Sequence, residues 1–479
     1  MFSCLAYFGL ILFIGLRNRQ PTDHLEPHLG GRTMGFWMTA LSAHASDMSA
    51  WLFLSLPMLI WAGGAKQVWI ALGLWLGMAA NWKIISRRLR EKTAKAHCHT
   101  LPAWFEHAFN DKSSLLKKVC ALLSTVFLLN YLAAGLIAMG LLMESLFGFD
   151  YFWATFASAL LMALYTIKGG FNAVALVDLF QALFLLVAIM LVPGVALVKA
   201  GGWSSVVAAS HHSQTSLNPF AFQSSKEVIQ AIISALGWGL GYFGMPHVLS
   251  KFMGIRHPSE LSKSMVVGLV WQLLALSASV LIGFCALAWI GQDLADPELL
   301  FVHLVEGLFH PLVAGVIFCA IMAANLSTMD SQLLVAGSVL AEDLLPKKWS
   351  RYWQFSQVSW WRVQLIALAF LAWIISCSRS PSVQEAVIYS WSGLGATYGP
   401  LIIWSLYGSR LSAKVACFAV LISSSTVMLW SLFAFEIRQA IGYDIPALLP
   451  GFLAGLLSLV ISLFVKNVQN KTKIKLTQK

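Results

Sequence analysis

The stretch TALSAHASDMSAW, residues 39 to 51, decides how this chain is read. It lies inside an apolar segment, 36 to 62, long enough to cross a bilayer, yet it holds an aspartate, a histidine and three serines. A charged side chain in hydrocarbon is costly, so Asp47 is expected to face the interior of a helix bundle and to have a function there. The stretch is also poor in strong helix formers, and Pro57 follows it, so the helix is expected to be interrupted near Asp47.

The rest of the composition says that the surroundings are lipid. Hydrophobic residues make up 58% of the 479, charged residues only 11%, and the mean hydropathy is +0.73. Such a chain has too little polar surface to coat a soluble globule. Apolar stretches of spanning length occur near residues 2 to 16, 36 to 62, 67 to 86, 119 to 146, 151 to 167, 174 to 198, 227 to 250, 266 to 291, 311 to 341, 363 to 378, 385 to 407, 414 to 435 and 446 to 465. The expectation is an all-α polytopic membrane protein of about thirteen transmembrane helices. The first stretch lacks the basic start and small-residue cleavage site of a signal peptide and reads as a retained, short span.

Net charge +11 is explained by orientation. Loops after odd-numbered spans, with the adjoining helix ends and the tail 466 to 479, hold all but five of the 32 Lys and Arg residues. The exceptions are Lys66, Lys199, Lys226, Arg379 and Arg438. The positive-inside rule then places the amino terminus outside and the carboxyl terminus in the cytoplasm of a bacterial-type plasma membrane. A miscounted span would swap the side of every later loop and spoil this asymmetry. The basic surplus thus means contact with anionic membrane lipid, with no nucleic-acid role.

Enzymatic chemistry has little to stand on. The chain contains no phosphate loop of the GxxxxGK[ST] type, no GxSxG elbow and no HExxH helix. Its seven cysteines are scattered without CxxC or Cys/His ligand spacing and read as small apolar fillers. With no long loop to house a soluble domain, function is expected inside the bundle.

A second interruption is legible in span seven, where GWGLGYFGMPH (237 to 247) carries four glycines and Pro246. Spans two and seven are five apart, so a five-helix unit starting at span two (36 to 198) would recur, inverted because five is odd, over 227 to 407. That is the leucine-transporter-type architecture, with an extra helix before it (2 to 16) and two after it (414 to 465), all in one transmembrane domain. In span nine, Ala324, Ser327 and Thr328 fall at i, i+3 and i+4 and share a face. Two hydroxyls facing carbonyls freed near Ala45 and Met48 would form an all-oxygen cage suited to Na+, with Asp47 as the nearby negative charge. Serine and threonine in membrane helices also bond back to their own helix or across to a neighbour, and that reading stays open for Ser327 and Thr328. Asp330 reads either as a second coupling acid or as a group paired within the bundle, and Asp178 as a solvated or arginine-paired residue near the cytoplasmic surface.

The stretches LGGRTMGFWMTALSAHASDMSAWLFLSLP, YTIKGGFNAVALVDLFQA, GWGLGYFGMPH, AIMAANLSTMDSQLL with EDL, YSWSGLGATYGP and LPGFLAG resemble the sodium/solute symporter family, in order and over almost the whole chain. The likeness is greatest to its sodium/proline symporters. It implies sodium-driven secondary transport and a sodium site of backbone oxygens at Ala45, Met48 and Ala324 with the Ser327 and Thr328 hydroxyls. It also implies that Asp47 is the essential coupling acid and that Tyr131, Trp238, Tyr242 and Pro246 attend the substrate. Aromatic walls would suit a pyrrolidine ring, and a helix break exposes backbone groups to its carboxylate and ammonium.

The chain departs from that pattern at His44 and Ala50, where the symporters carry glycine, and at Met245, where they carry glutamine. Lys168 replaces an apolar residue at a helix end, where its stem can snorkel. His44 would bring a titratable imidazole to the ion site if it faces the cavity, and is a packing residue if it faces a neighbouring helix. The expected function is sodium-coupled import of a small amino acid, L-proline first, by alternating access. The alternatives are the same machine carrying another amino acid, osmolyte or carboxylate, or a non-transporting solute sensor.

Overall fold

The computed structural model describes residues 2–17, 29–291, 294, 296–345, 356–379, 382–409 and 411–477. Among these residues the structure is helical, without strands; one isolated bridge pairs Met34 with Ile255. The first helices are α1 (Phe2–Arg17), α2 (Phe36–Ala45), α3 (Ser55–Gly63), α4 (Val68–Ala80), α5 (Arg87–Lys95) and α6 (Leu101–Ala108). Next come α7 (Leu115–Phe147), α8 (Tyr151–Lys199), α9 (Trp203–His212), α10 (Ser225–Gly239), α11 (Pro246–Gly254), α12 (Leu261–Trp289), α13 (Leu300–Leu308) and α14 (Pro311–Val339). The last are α15 (Gln357–Ser376), α16 (Val383–Tyr407), α17 (Ala413–Leu432), α18 (Ala434–Ile441) and α19 (Leu448–Thr477). Each apolar stretch named from the sequence lies mostly on helix, and the connecting segments expected as loops hold the short helices α5, α6 and α9. Among the described residues, eight helical stretches are long and apolar enough to cross a membrane, or nine with the bent pair formed by α10 and α11.

Both expected interruptions are present. After Ala45 the helical ladder stops: Ser49 N bonds Asp47 O at 3.1 Å, and Leu52 N bonds Ser49 O at 3.1 Å. In a continuous helix these donors would have gone to Ala45 O and Met48 O, so both carbonyls leave the ladder. Span seven breaks at Met245, whose extended backbone (φ −77°, ψ 104°) separates a tight 240–244 turn from α11. Pro246 opens α11 with a ring that needs no amide donor, and the two halves meet at 48°. Its glycines let the broken segment lie against α16: a Cβ on Gly241 would sit 2.0 Å from Trp391 Nε1.

A third discontinuity divides α8. Gly170 has φ 61° and ψ −165°, a conformation open almost only to glycine. Tyr165 on one side of it donates to Asp330 Oδ2 (2.5 Å), while Asp178 on the other side accepts from Ser331 Oγ (3.2 Å). A straight helix would hold Tyr165 and Asp178 about 20 Å apart along its axis, yet their side chains bond adjacent residues of α14. The α8 segment is therefore two helices that meet at a kink at Gly170. Gly170→Ala is expected to cost about 1 to 3 kcal/mol and to lower the thermal unfolding midpoint in detergent. Gly194→Ala, a site with open space around the added methyl, is expected to leave that midpoint unchanged or slightly raised.

Candidate functional site

The carbonyl released at the end of α2 finds its partners on α14. Ser327 Oγ donates to Ala45 O at 2.9 Å and lies equally close to Ala324 O. Thr328 Oγ1 reaches Ala324 O at 3.1 Å and Ala45 O at 3.5 Å. Four oxygens from two helices thus face one another in a fully buried position. Each hydroxyl bonds its own helix and reaches across to α2, which is the packing reading of the two residues. Met48 is buried beside them, its amide bonded to His44 O at 3.1 Å and its carbonyl outside the helical ladder. An all-oxygen set suits a hard monovalent cation.

Asp47 does not turn toward this cage. Its Oδ2 accepts from Tyr242 Oη at 2.5 Å, and that hydroxyl accepts from Gln272 Nε2 at 3.1 Å. Asp47 Oδ1 is buried without a hydrogen-bond partner among the described residues, an acceptor left for a donor from outside the chain. The Tyr242 ring meets Trp391 edge-on at 5.0 Å, and Trp238 lies between Trp391 (5.9 Å) and Trp51 (4.7 Å). Trp391 Nε1 donates to Trp238 O at 3.2 Å, which fastens the aromatic group to the break. Trp51, Trp391 and Gln272 were missed in the sequence; a lone glutamine amid the apolar residues of span eight was the available signal for the last.

Tyr131 approaches the break in span two from α7. It lines a small cavity with Ser49, Asn325, Thr328 and Gln332, directly beside the cage. Asn325 Nδ2 donates to Gly135 O at 2.6 Å and anchors α14 to α7, while neither polar end of Gln332 has a partner among the described residues. Pro246 lies on the other side of the break, lining a separate pocket with Thr100, Ser338 and Tyr398. The structure therefore brings Trp238 and Tyr242 to one aromatic group, sets Tyr131 in a cavity with Thr328, and turns Pro246 to a pocket of its own.

The remaining polar residues are resolved by their neighbours. His44 packs between Trp82 and Trp271, with ring centroids at 6.2 and 5.9 Å, and its Nε2 accepts from Trp82 Nε1 at 3.3 Å. It faces away from the cage, into space opened by Gly268, where a Cβ would approach Nε2 to 2.3 Å. Asp330 is paired within the bundle by Tyr165. Asp178 corrects the expectation of a solvated or arginine-paired group: it is fully buried and accepts from Ser42 Oγ (2.6 Å), Lys251 Nζ (3.0 Å) and Ser331 Oγ. Lys251 was sorted with the cytoplasmic helix ends but is only 1% exposed, drawn inward by that carboxylate.

Fold and site together define a polytopic α-helical transporter, an integral membrane protein with its chemistry at broken helices. Its structure is similar to a Na+-coupled sialic acid symporter in a substrate-bound outward-open state, with a TM-score of 0.77 at 17% identity over 96% of this chain and 95% of that one. It is also similar to MhsT in complex with L-phenylalanine, with a TM-score of 0.58 at 14% identity over 88% and 97%. In sequence it is 35% identical to the osmoregulated proline transporter OpuE of Bacillus subtilis, over 96% of this chain and 94% of that protein. It is 36% identical to a sodium/proline symporter of Salmonella typhimurium, over 96% and 91%. The chain belongs to the sodium:solute symporter family, whose model matches residues 28–423.

The His44 placement has a direct test. Gly268→Ala is expected to lower the thermal unfolding midpoint by pushing the imidazole out of its slot, at about 1 to 3 kcal/mol. Combining it with His44→Ala should recover most of that loss, which a double-mutant cycle would report as coupling between the two positions. Additive effects would place His44 elsewhere.

Proposed function

We propose that this protein imports L-proline together with Na+ across a bacterial-type plasma membrane by alternating access. The observation that carries the reading is the meeting of Ser327 and Thr328 with the Ala45 carbonyl at the break in span two. Na+ would bind there, held by the backbone oxygens of Ala45, Met48 and Ala324 and by the two hydroxyls. Asp47 would serve as the coupling acid. Asp47 lies two residues from Ala45 and its carboxylate reaches Tyr242, so an ion ordering the α2 break would also steady the aromatic group on span seven. Trp238 and Tyr242 would wall the pyrrolidine ring, Tyr131 would close the cavity beside Thr328, and Pro246 would shape the break that exposes backbone groups. The names of the relatives support the substrate: OpuE is a proline transporter and the Salmonella protein a sodium/proline symporter.

Thirteen crossings fit the same picture. The 49 residues of α8 would measure about 74 Å as one helix, more than twice a hydrocarbon core, and the turn at Gly170 splits them in two. The 46 helical residues from Ala50 to Lys95 divide likewise at Gly64, where φ is 71°. The inverted repeats would run from 36 to 198 and from 227 to 407, each beginning with its broken helix, with 2 to 16 and 414 to 465 outside them. The amino terminus would lie outside and the carboxyl terminus in the cytoplasm, against anionic lipid.

The test is initial-rate uptake of radiolabelled proline by proteoliposomes under an inward Na+ gradient, with K+ replacing Na+ as the control. Sodium-dependent uptake is expected, with Ser327→Ala raising the Na+ concentration needed for half-maximal rate at least tenfold and Asp47→Asn abolishing uptake. Uptake driven equally well by a proton gradient without Na+ would overturn the cation assignment. Transport of another solute in preference to proline would overturn the substrate.

A further inference from the structure

Span eight carries one glutamine in an apolar run, VVGLVWQLLALSASVLIG (266 to 283), and α12 buries it completely. Gly268, Gln272, Ser279 and Gly283 follow one another at spacings of four, seven and four, so they share one face of the helix. That face tracks the broken span two from end to end. Gly268 leaves room for His44 at the end of α2, where a Cβ would meet the imidazole Nε2 at 2.3 Å. Ser279 Oγ donates to Leu52 O at 2.7 Å, beyond the break. Gly283 lies against α3, where a Cβ would come within 2.6 Å of Pro57 O. Gln272 falls between these contacts along the helix and reaches the break through Tyr242.

Counting protons fixes the direction of this contact. An amide nitrogen only donates, a carboxylate only accepts, and a phenol offers one proton while its lone pairs accept another. Gln272 Nε2 lies 3.1 Å from Tyr242 Oη, which lies 2.5 Å from Asp47 Oδ2. With the amide donating, the one tyrosine proton is committed to Asp47. With the amide turned over, its oxygen would compete with the carboxylate for that proton, and one buried acceptor would face another at a large cost. Gln272 Oε1 and Asp47 Oδ1 have no partner among the described residues, so the tyrosine hydroxyl is the link that orients both side chains.

We propose that Gln272 is a positioning residue for Asp47: its amide sets the direction of the Tyr242 hydroxyl, which holds Asp47 Oδ2 as acceptor and leaves Oδ1 free. Gln272 touches neither ion nor solute and acts through Tyr242. This rests on the proposed role of Asp47 as the coupling acid of a transporter, and it adds span eight to the elements that respond when the break is ordered.

Two measurements test it. Gln272→Glu keeps the shape of the side chain but donates only while protonated, so its proline uptake in proteoliposomes, relative to wild type, is expected to fall about tenfold or more between about pH 5.5 and about pH 9. Gln272→Leu removes donor and competitor alike and is expected to lower uptake about threefold, by the same factor at every pH. A loss in Gln272→Glu that is independent of pH, as a packing role would give, overturns the proposal. The titratable groups that reach this stretch of α12 are Asp47, Tyr242 and, one turn away at Gly268, His44. The other contacts are uncharged: Trp75 Nε1 of α4 donates to Leu269 O, and Trp271 Nε1 donates to Ala182 O of α8, both at 3.0 Å. The acid-favoured profile should therefore persist when His44→Asn is added, and its disappearance there would assign the titration to the imidazole and sink the proposal.

The second measurement needs no solute. In infrared spectra of the purified full-length protein carrying ring-labelled tyrosine, the C–O stretch of Tyr242 is the band lost in Tyr242→Phe. A phenol oxygen that accepts as well as donates has a lower C–O frequency than one that only donates, so the band is expected to move up in Gln272→Leu. A band that stays in place means that Gln272 does not donate to Tyr242, and the proposal fails. A shifted band in a protein that shows no sodium-driven proline uptake would instead refute the transport reading and leave the orientation of the hydroxyl standing.

Discussion

The backbone of span two must satisfy its polar groups after it stops being a helix, and much of the site follows from that demand. In a bilayer interior no water is at hand for a freed carbonyl, and leaving it bare costs several kcal/mol. The chain answers from α14, where the hydroxyls of the adjacent residues Ser327 and Thr328 turn to Ala45 O. The same four-residue interruption turns the Asp47 carboxylate the other way, to Tyr242 on the second broken helix. One local defect therefore joins span nine, which supplies hydroxyls, to span seven, which supplies aromatics. Order at either contact favours order at the other, which is the physical content of coupling between two ligands.

The second buried network obeys a stricter rule. Asp178 and Lys251 are both almost wholly removed from solvent, and such a pair persists only when further hydrogen bonds occupy its lone pairs. Ser42 from α2 and Ser331 from α14 provide them. The ion pair thereby fixes α11, the second half of the broken span seven, against elements of both proposed repeats. Its ammonium also lies 5.1 Å over the Phe171 ring, next to the kink at Gly170. Losing one partner would strand a charge in the core, so the network resists piecemeal change. Helices that carry the two breaks are thus tied together on one side of the cage and linked by the aromatic group on the other.

Some of this was legible because it depends on local chemistry alone. Helical class, the presence of two interruptions, and the shared face of Ala324, Ser327 and Thr328 follow from hydropathy, from proline and glycine, and from the 3.6-residue period. Asp47 announced itself because a lone charge in an apolar run has few innocent explanations. Trp51, Trp391 and Gln272 were not legible, since their importance comes from distant segments that pack on the breaks, and a membrane protein with twenty tryptophans gives none of them special weight.

By itself the sequence determined the medium, the helices, the breaks and the family resemblance, because each rests on composition or on spacing within one segment. Only the tertiary structure decided which way side chains face. Rotation of one helix by half a turn separates a ligand from a packing residue, and no periodicity chooses between them. His44 was open to both readings until Trp82, Trp271 and the missing side chain of Gly268 claimed it. Asp178 was read as a surface group until Lys251 met it in the core. Lys66, Lys226 and Arg438 were mere exceptions to a charge rule until three connections, far apart in the chain, brought them to the wall of one cavity.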